Sequence, residues 1–159
     1  MKFNSALRNF VLVLFSTLLI SACSTAKKAS VDTVDDVYTG TDTVEYLAKG
    51  VPDRVFFATN KSKLTTRSRD TLRKQATWLR KNKDVTVTVE GHADERGTRE
   101  YNLALGERRA NAAKDYLMTY GVSGKRITVI SYGKEKPVNP ASTPLAWSQN
   151  RRSVTVKTN

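Results

Sequence analysis

The chain has 159 residues, 39% apolar and 26% charged, enough for one domain with its own core and barely enough for two. Its 27 Lys and Arg against 15 Asp and Glu leave a formal charge of +12, which admits nucleic acid, a lipid surface or an acidic polymer as partner and chooses none of them. One cysteine excludes an internal disulfide and a four-thiolate metal site, and one histidine excludes a histidine-rich metal centre.

Lys2 and Arg8 precede an apolar run from Val11 to Ile20 that only Ser16 and Thr17 interrupt. The run is too short to anchor stably across ~30 Å of hydrocarbon, and the layout predicts a secretory signal peptide over residues 1–22. Ile20-Ser21-Ala22-Cys23 resembles the lipobox of bacterial lipoproteins. That resemblance implies cleavage before Cys23 and diacylglycerol on its sulfur, with Ser24 rather than Asp favouring the outer membrane as the lipid partner. Each buried methylene contributes roughly 0.8 kcal/mol, so two chains suffice for stable anchoring. Export also opposes nucleic acid as the partner of a basic chain. Residues 24–49 hold three bases and five acids, are rich in Thr, Ser, Asp and Gly, and have few large apolar side chains. This predicts a flexible tether over residues 23–49. Residues 50–159 carry 22 bases and 10 acids, so the excess charge sits on one carboxy-terminal domain.

Within that domain Val55-Phe56-Phe57 predicts a strand bounded by Pro52-Asp53 and Asn60. Thr65 or Thr66 can cap a helix over 66–81, with Leu72, Ala76 and Leu79 on one face and Arg80, Lys81 and Lys83 near its end. Val85, Val87 and Val89 alternate with Thr86, Thr88 and Glu90 as a strand. A second helix runs from Thr98 or Tyr101 to Tyr120, with Leu103, Ala110, Ala113 and Leu117 aligned, Gly106 beside them and Gly121 as its C′ residue. Ile127, Val129 and Ser131 begin another strand that Tyr132-Gly133 ends. Pro137, Pro140 and Pro144 mark an irregular connection with a short helix from Leu145 to Asn150, and Ser153 to Lys157 closes the chain as a strand. The expected fold is a compact two-layer α/β sandwich, β-α-β-α-β-β, with the helices on one sheet face.

The densest polar chemistry is Gly91-His92-Ala93-Asp94-Glu95-Arg96-Gly97-Thr98, followed by Asn102, Arg108 and Arg109. It forms a glycine-bounded loop leading into a helix amino terminus, where backbone N–H groups suit an anion. Arg109 can clamp a carboxylate and Asp94 can accept from an ammonium, matching a ligand that bears both. Taken alone, a charged loop and an arginine-rich helix face also describe ordinary solvated surface. Catalysis is disfavoured, because His92, Asp94 and Glu95 lack a third ligand or a nucleophile, and no cofactor motif is present.

The stretch from Gly91 to Ala110 resembles the signature of OmpA-like peptidoglycan-binding domains, as do Ser131 to Pro137, Asn150-Arg151-Arg152 and, upstream, Val55-Phe56-Phe57. The resemblance implies a non-catalytic domain over residues 50–159 that grips the diaminopimelate residue of the peptidoglycan stem peptide. Asp94 and Arg109 fall on the positions that secure its amino and carboxylate ends. Supporting positions match Phe56, His92, Gly97, Thr98, Asn102, Leu105 and Arg151. Among them Asn102 and Arg151 are expected contacts, Leu105 a pocket wall, Thr98 a loop cap and Phe56 core or rim. Lipoproteins of this family also bind the periplasmic propeller protein TolB and the inner-membrane protein TolA, linking envelope layers during division. The alternative is an outer-membrane lipoprotein that scaffolds other proteins without a glycan-peptide pocket.

Overall fold

The computed structural model describes residues 36–159. The predicted signal peptide, Cys23 and the first part of the tether lie outside them. A hairpin of β1 (Tyr46–Ala48) and β2 (Val51–Pro52) comes first, followed by β3 (Arg54–Phe56) and α1 (Thr66–Lys81). Then come β4 (Val87–His92), α2 (Arg99–Thr119), a short 3₁₀ turn at Gly124–Arg126, β5 (Ile127–Gly133), α3 (Pro144–Asn150) and β6 (Arg152–Lys157).

Both long helices start where capping chemistry places them. The Thr65 side chain accepts from the Ser68 backbone N–H and the Thr98 side chain from that of Tyr101. Past α2, Gly121 takes φ +83°, the left-handed position expected of a C′ residue. The main sheet has the order β3-β6-β4-β5. Strands β4 and β5 run parallel, which requires a crossover, and α2 supplies it. Strand β6 is antiparallel to both of its neighbours, β3 and β4.

The alternation in β4 sends Val87 and Val89 into one core with Val55, Phe57, Leu72, Ala76, Leu79, Ala110, Ala113 and Leu117. The buried face of α2 runs through Asn102, Leu105, Gly106, Arg109, Ala110, Ala113 and Leu117, and Leu103 is only half-buried. The predicted stripe through Leu103 is therefore shifted. Its small member decides the shift: Gly106 lies so close to β4 that a Cβ added at Gly91 would fall 1.8 Å from the Gly106 carbonyl oxygen. A helix that approaches a strand this closely must present glycine to glycine, and its larger apolar residues take up neighbouring positions.

The tether expected over 23–49 does not extend to 49. Leu47 is buried in the core, and the Tyr38 ring packs edge-on against Phe56 at 4.8 Å. Gln149 Nε2 donates to Asp42 at 2.9 Å, and β1 pairs with β2. A single buried leucine and a single tyrosine in a polar stretch carry no periodicity, so composition hides their docking.

Candidate functional site

Strand β4 delivers the chain into the loop 93–98, at the end of the sheet where α2 begins. The loop is fixed from three sides. Asn102 Nδ2 on α2 donates to the Arg96 carbonyl at 2.9 Å. Lys134 Nζ, just past β5, donates to the carbonyls of Glu95 at 3.2 Å and Gly97 at 2.8 Å. Trp147 Nε1 on α3 donates to Glu95 Oε1 at 2.8 Å, and Ser142 Oγ to Oε2 at 3.0 Å. Gly97, at φ +91°, allows the turn that this lacing requires.

Asp94 is 7% exposed and saturated with donors. Arg96 Nε reaches Oδ1 at 3.1 Å and Nη2 reaches Oδ2 at 2.7 Å, a bidentate fork, while the Arg96 backbone N–H also donates to Oδ1 at 3.1 Å. Arg151 Nη1 adds a longer contact to Oδ2 at 3.4 Å. Burial pushes the Asp94 carboxyl up, but the hydrogen bonds and charge of Arg96, with Arg151, prevail and hold it below the usual carboxylate range. The Arg96 guanidinium lies 4.3 Å from the centre of the Trp147 ring and its side chain is 41% exposed, so one solvent-reachable cation covers the acid.

Arg109 is fully buried. Its Nε donates to the Lys61 carbonyl at 2.9 Å, Nη1 to that of His92 at 2.8 Å and Nη2 to that of Ala58 at 3.1 Å, with the Phe57 ring 5.3 Å away. Burial and the charge of Arg151 lower its pKa to about 10, so it stays charged near neutrality. Arg151 is also buried, donating to the Phe57 carbonyl at 3.1 Å and to the Asp36 carbonyl, and pairing with the Asp36 carboxylate at 3.2 Å. Three guanidiniums thus surround one buried and one half-exposed carboxylate, and the cluster retains positive charge.

The fold brings Asp94, Arg109, Arg151 and Asn102 into one network. Thr98 is a helix cap, and Leu105 is buried on α2. Phe56 is not part of the network: it faces Tyr38, and the neighbouring Phe57 lies beneath Arg109. A shift of one residue along a strand moves a side chain to the opposite face, which separates the two phenylalanines. Arg109, expected as a clamp on a ligand, is also an internal post that holds three backbone carbonyls. Sequence reasoning missed Arg96, Trp147 and Asp36. Arg96 was visible as a base two residues after Asp94, whereas Asp36 and Trp147 reach the site only through tertiary contacts.

The OmpA family model matches residues 56–151, a span that contains this whole network except Asp36. The chain belongs to the OmpA family. Among OmpA-family relatives, a peptidoglycan-associated lipoprotein of Rhizobium meliloti (strain 1021) is 57% identical over 106 residues, covering 67% of this chain and 60% of that protein. A peptidoglycan-associated lipoprotein of Mesorhizobium japonicum is 43% identical over 153 residues, covering 93% of this chain and 91% of that one. The crystal structure of the peptidoglycan-associated lipoprotein from Burkholderia pseudomallei, 35% identical, superposes with a TM-score of 0.65 over 67% of this chain and 90% of that chain.

Proposed function

We propose that this OmpA-family chain is an outer-membrane lipoprotein, acylated at Cys23, that binds peptidoglycan non-covalently through the diaminopimelate of the stem peptide. Its proposed partners beyond the wall are TolB and TolA, with which it would support envelope integrity during division. The observation that carries the pocket is Asp94, a nearly buried carboxylate kept ionised by a cation that solvent can reach. The names of the relatives, lipoproteins associated with peptidoglycan rather than enzymes, support the same reading.

In this reading the ligand ammonium takes the place that the Arg96 fork holds in the free protein. Arg96 is able to yield because its outer side is solvent-exposed and meets only the Trp147 ring and, at 3.3 Å, the Thr59 hydroxyl, not a second carboxylate closer than Asp94. The ligand carboxylate is drawn to the positive field of Arg109 and Arg151, and Arg109 has N–H donors beyond the three it spends on carbonyls. The site supplies charge and orientation and asks no side chain to form a bond or move a proton. His92 does not contribute to the pocket directly: its ring is buried on the other face of β4, and only its carbonyl meets Arg109.

Full-length protein in detergent, sedimented with purified sacculi, tests this. Asp94→Asn and Arg109→Lys should each leave most of the protein in the supernatant, and free diaminopimelate should release the wild type. Pelleting of both variants at the wild-type level, or indifference to diaminopimelate, would sink the assignment of the pocket.

A further inference from the structure

The helices cover one face of the sheet, and the other carries a cavity of about 530 Å³ on β3, β6 and β4 that the stem-peptide reading does not use. Its walls include Arg54, Arg152, His92, Glu90 and, from the chain after β5, Lys136. Arg54 is matched: Nε and Nη2 donate to the two Asp53 carboxylate oxygens at 2.8 Å, and Glu45 pairs with it at 3.4 Å.

Arg152 is not matched. It is 6% exposed, and among the described residues it forms no ion pair with a carboxylate. Its two bonds are long, Nη1 to the Asn150 carbonyl at 3.4 Å and Nη2 to the Lys136 carbonyl at 3.2 Å, and its Nε is buried without a partner. Beside it His92 is 1% exposed; the Lys136 backbone lies close enough to favour its charged form, but neither ring nitrogen makes a well-formed hydrogen bond, and Glu90 Oε2 stands 3.4 Å from Nε2. Burial, then the charges of Arg152, Lys136 and Arg54, lower the His92 pKa to about 3, so the ring is neutral and Glu90 gains no ion pair from it. A buried, unmatched guanidinium beside an idle imidazole is costly unless something accepts from them. The exposed Lys136, whose ammonium lies 3.6 Å from the centre of the Tyr132 ring, stands at the mouth.

We propose that this open-face cavity binds an oxyanion, a carboxylate or phosphate group, with Arg152 as its buried anchor, Lys136 as its outer cation and His92 as a neutral hydrogen-bonding wall. The volume exceeds what a bare ion fills, so the oxyanion is carried on a larger molecule. Such a ligand would take the free Nε of Arg152 and offset its burial and the repulsion from Arg54, which lower the Arg152 pKa and which the charges of Glu90 and Asp53, neither paired with it, only partly oppose. The site is separate from the Asp94 network, on the opposite face of β4, and can fail or stand without it.

His92 is the one histidine of the chain, so its ring resonances report on this cavity alone. Full-length ¹⁵N-labelled protein in detergent is titrated with inorganic phosphate, and separately with glutarate, at constant ionic strength. The expected result is a saturable shift of the His92 ring with at least one of them, and the two arms tell phosphate from carboxylate. Lys136→Gln, a change at an exposed side chain, should weaken the response about tenfold, as loss of one charge-assisted bond implies. Arg152→Gln should abolish it, and Lys83→Gln, at the far end of α1, should leave it unchanged. A response that grows linearly without saturating, or one that Lys136→Gln leaves intact, overturns the proposal.

Discussion

Arg109 and Arg126 spend their guanidiniums in the same way and at opposite ends of the sheet. Arg126 donates to the carbonyls of Leu79, Asn82 and Val85, one continuous stretch where the chain leaves α1 and turns toward β4. Arg109 donates to Ala58, Lys61 and His92, which come from two separated parts of the chain. Arg126 is half-buried at a helix carboxy terminus, where the peptide dipoles favour a cation. Arg109 is fully buried beside another arginine, where carbonyls, the Phe57 ring and the charge of Asp94 oppose the cost of its burial. The same hydrogen-bond pattern therefore finishes a helix at one end of the molecule and concentrates uncompensated charge at the other, which is where a zwitterionic ligand has something to gain.

The comparison is broken most directly by removing each arginine. Arg109→Met should cost about 3–5 kcal/mol in denaturant unfolding, because it strands the buried His92 carbonyl, loses the bonds to Ala58 and Lys61 and so unties two segments. Arg126→Met should cost about 1–2 kcal/mol and leave sedimentation with sacculi unchanged, since the bonds it loses all lie within one short stretch, far from the Asp94 loop. Equal costs, or a wall-binding defect in the Arg126 variant, would erase the distinction between the two ends.

Acid sharpens it further. His92 protonates near 6.5 in the unfolded chain but only near 3 in the fold. Its folded pKa is depressed, so the stability it carries is complete above pH 6.5 and is lost as the pH falls through that value toward 3. Unfolding free energy should drop by about 1–3 kcal/mol between pH 6.5 and 4, and His92→Gln should flatten the drop. Asp94, also depressed, adds its loss below the unfolded carboxylate value near 3.9. A pH profile that His92→Gln leaves unchanged would show that the ring is not held neutral. The smallest effect belongs to the exposed i,i+3 pair Asp70–Arg73 on α1, where solvent screens the charges and Arg73→Ala should leave the denaturation midpoint unchanged.

Much of the fold was legible because its signals are local. Thr65 and Thr98 mark helix starts, Leu72, Ala76 and Leu79 mark a face, and Val87 and Val89 mark a strand with its buried side. The candidate site was half legible: Asp94 and Arg109 stand out by residue type and spacing, and the family resemblance selects them. The docking of Tyr38, Asp36 and Leu47 was not, since each is a lone residue in a polar stretch whose partner lies far along the chain. That Phe57 rather than Phe56 lies beneath Arg109 was equally invisible locally, because it depends on which face of β3 and its continuation meets the helices.

By itself the sequence determined the helices, the alternation of β4, the confinement of the positive charge to residues 50–159 and membership of a family with its acid and arginine in order. The tertiary structure alone decided how those charges are spent. It gave Asp94 to Arg96, spread Arg109 over three carbonyls and left Arg152 unmatched on the open face. Periodicity and capping act within a few residues, so a chain displays them as it is read. The state of a buried charge depends on what distant segments bring to it, and the +12 of the composition acquires meaning only when each cation has met its neighbours.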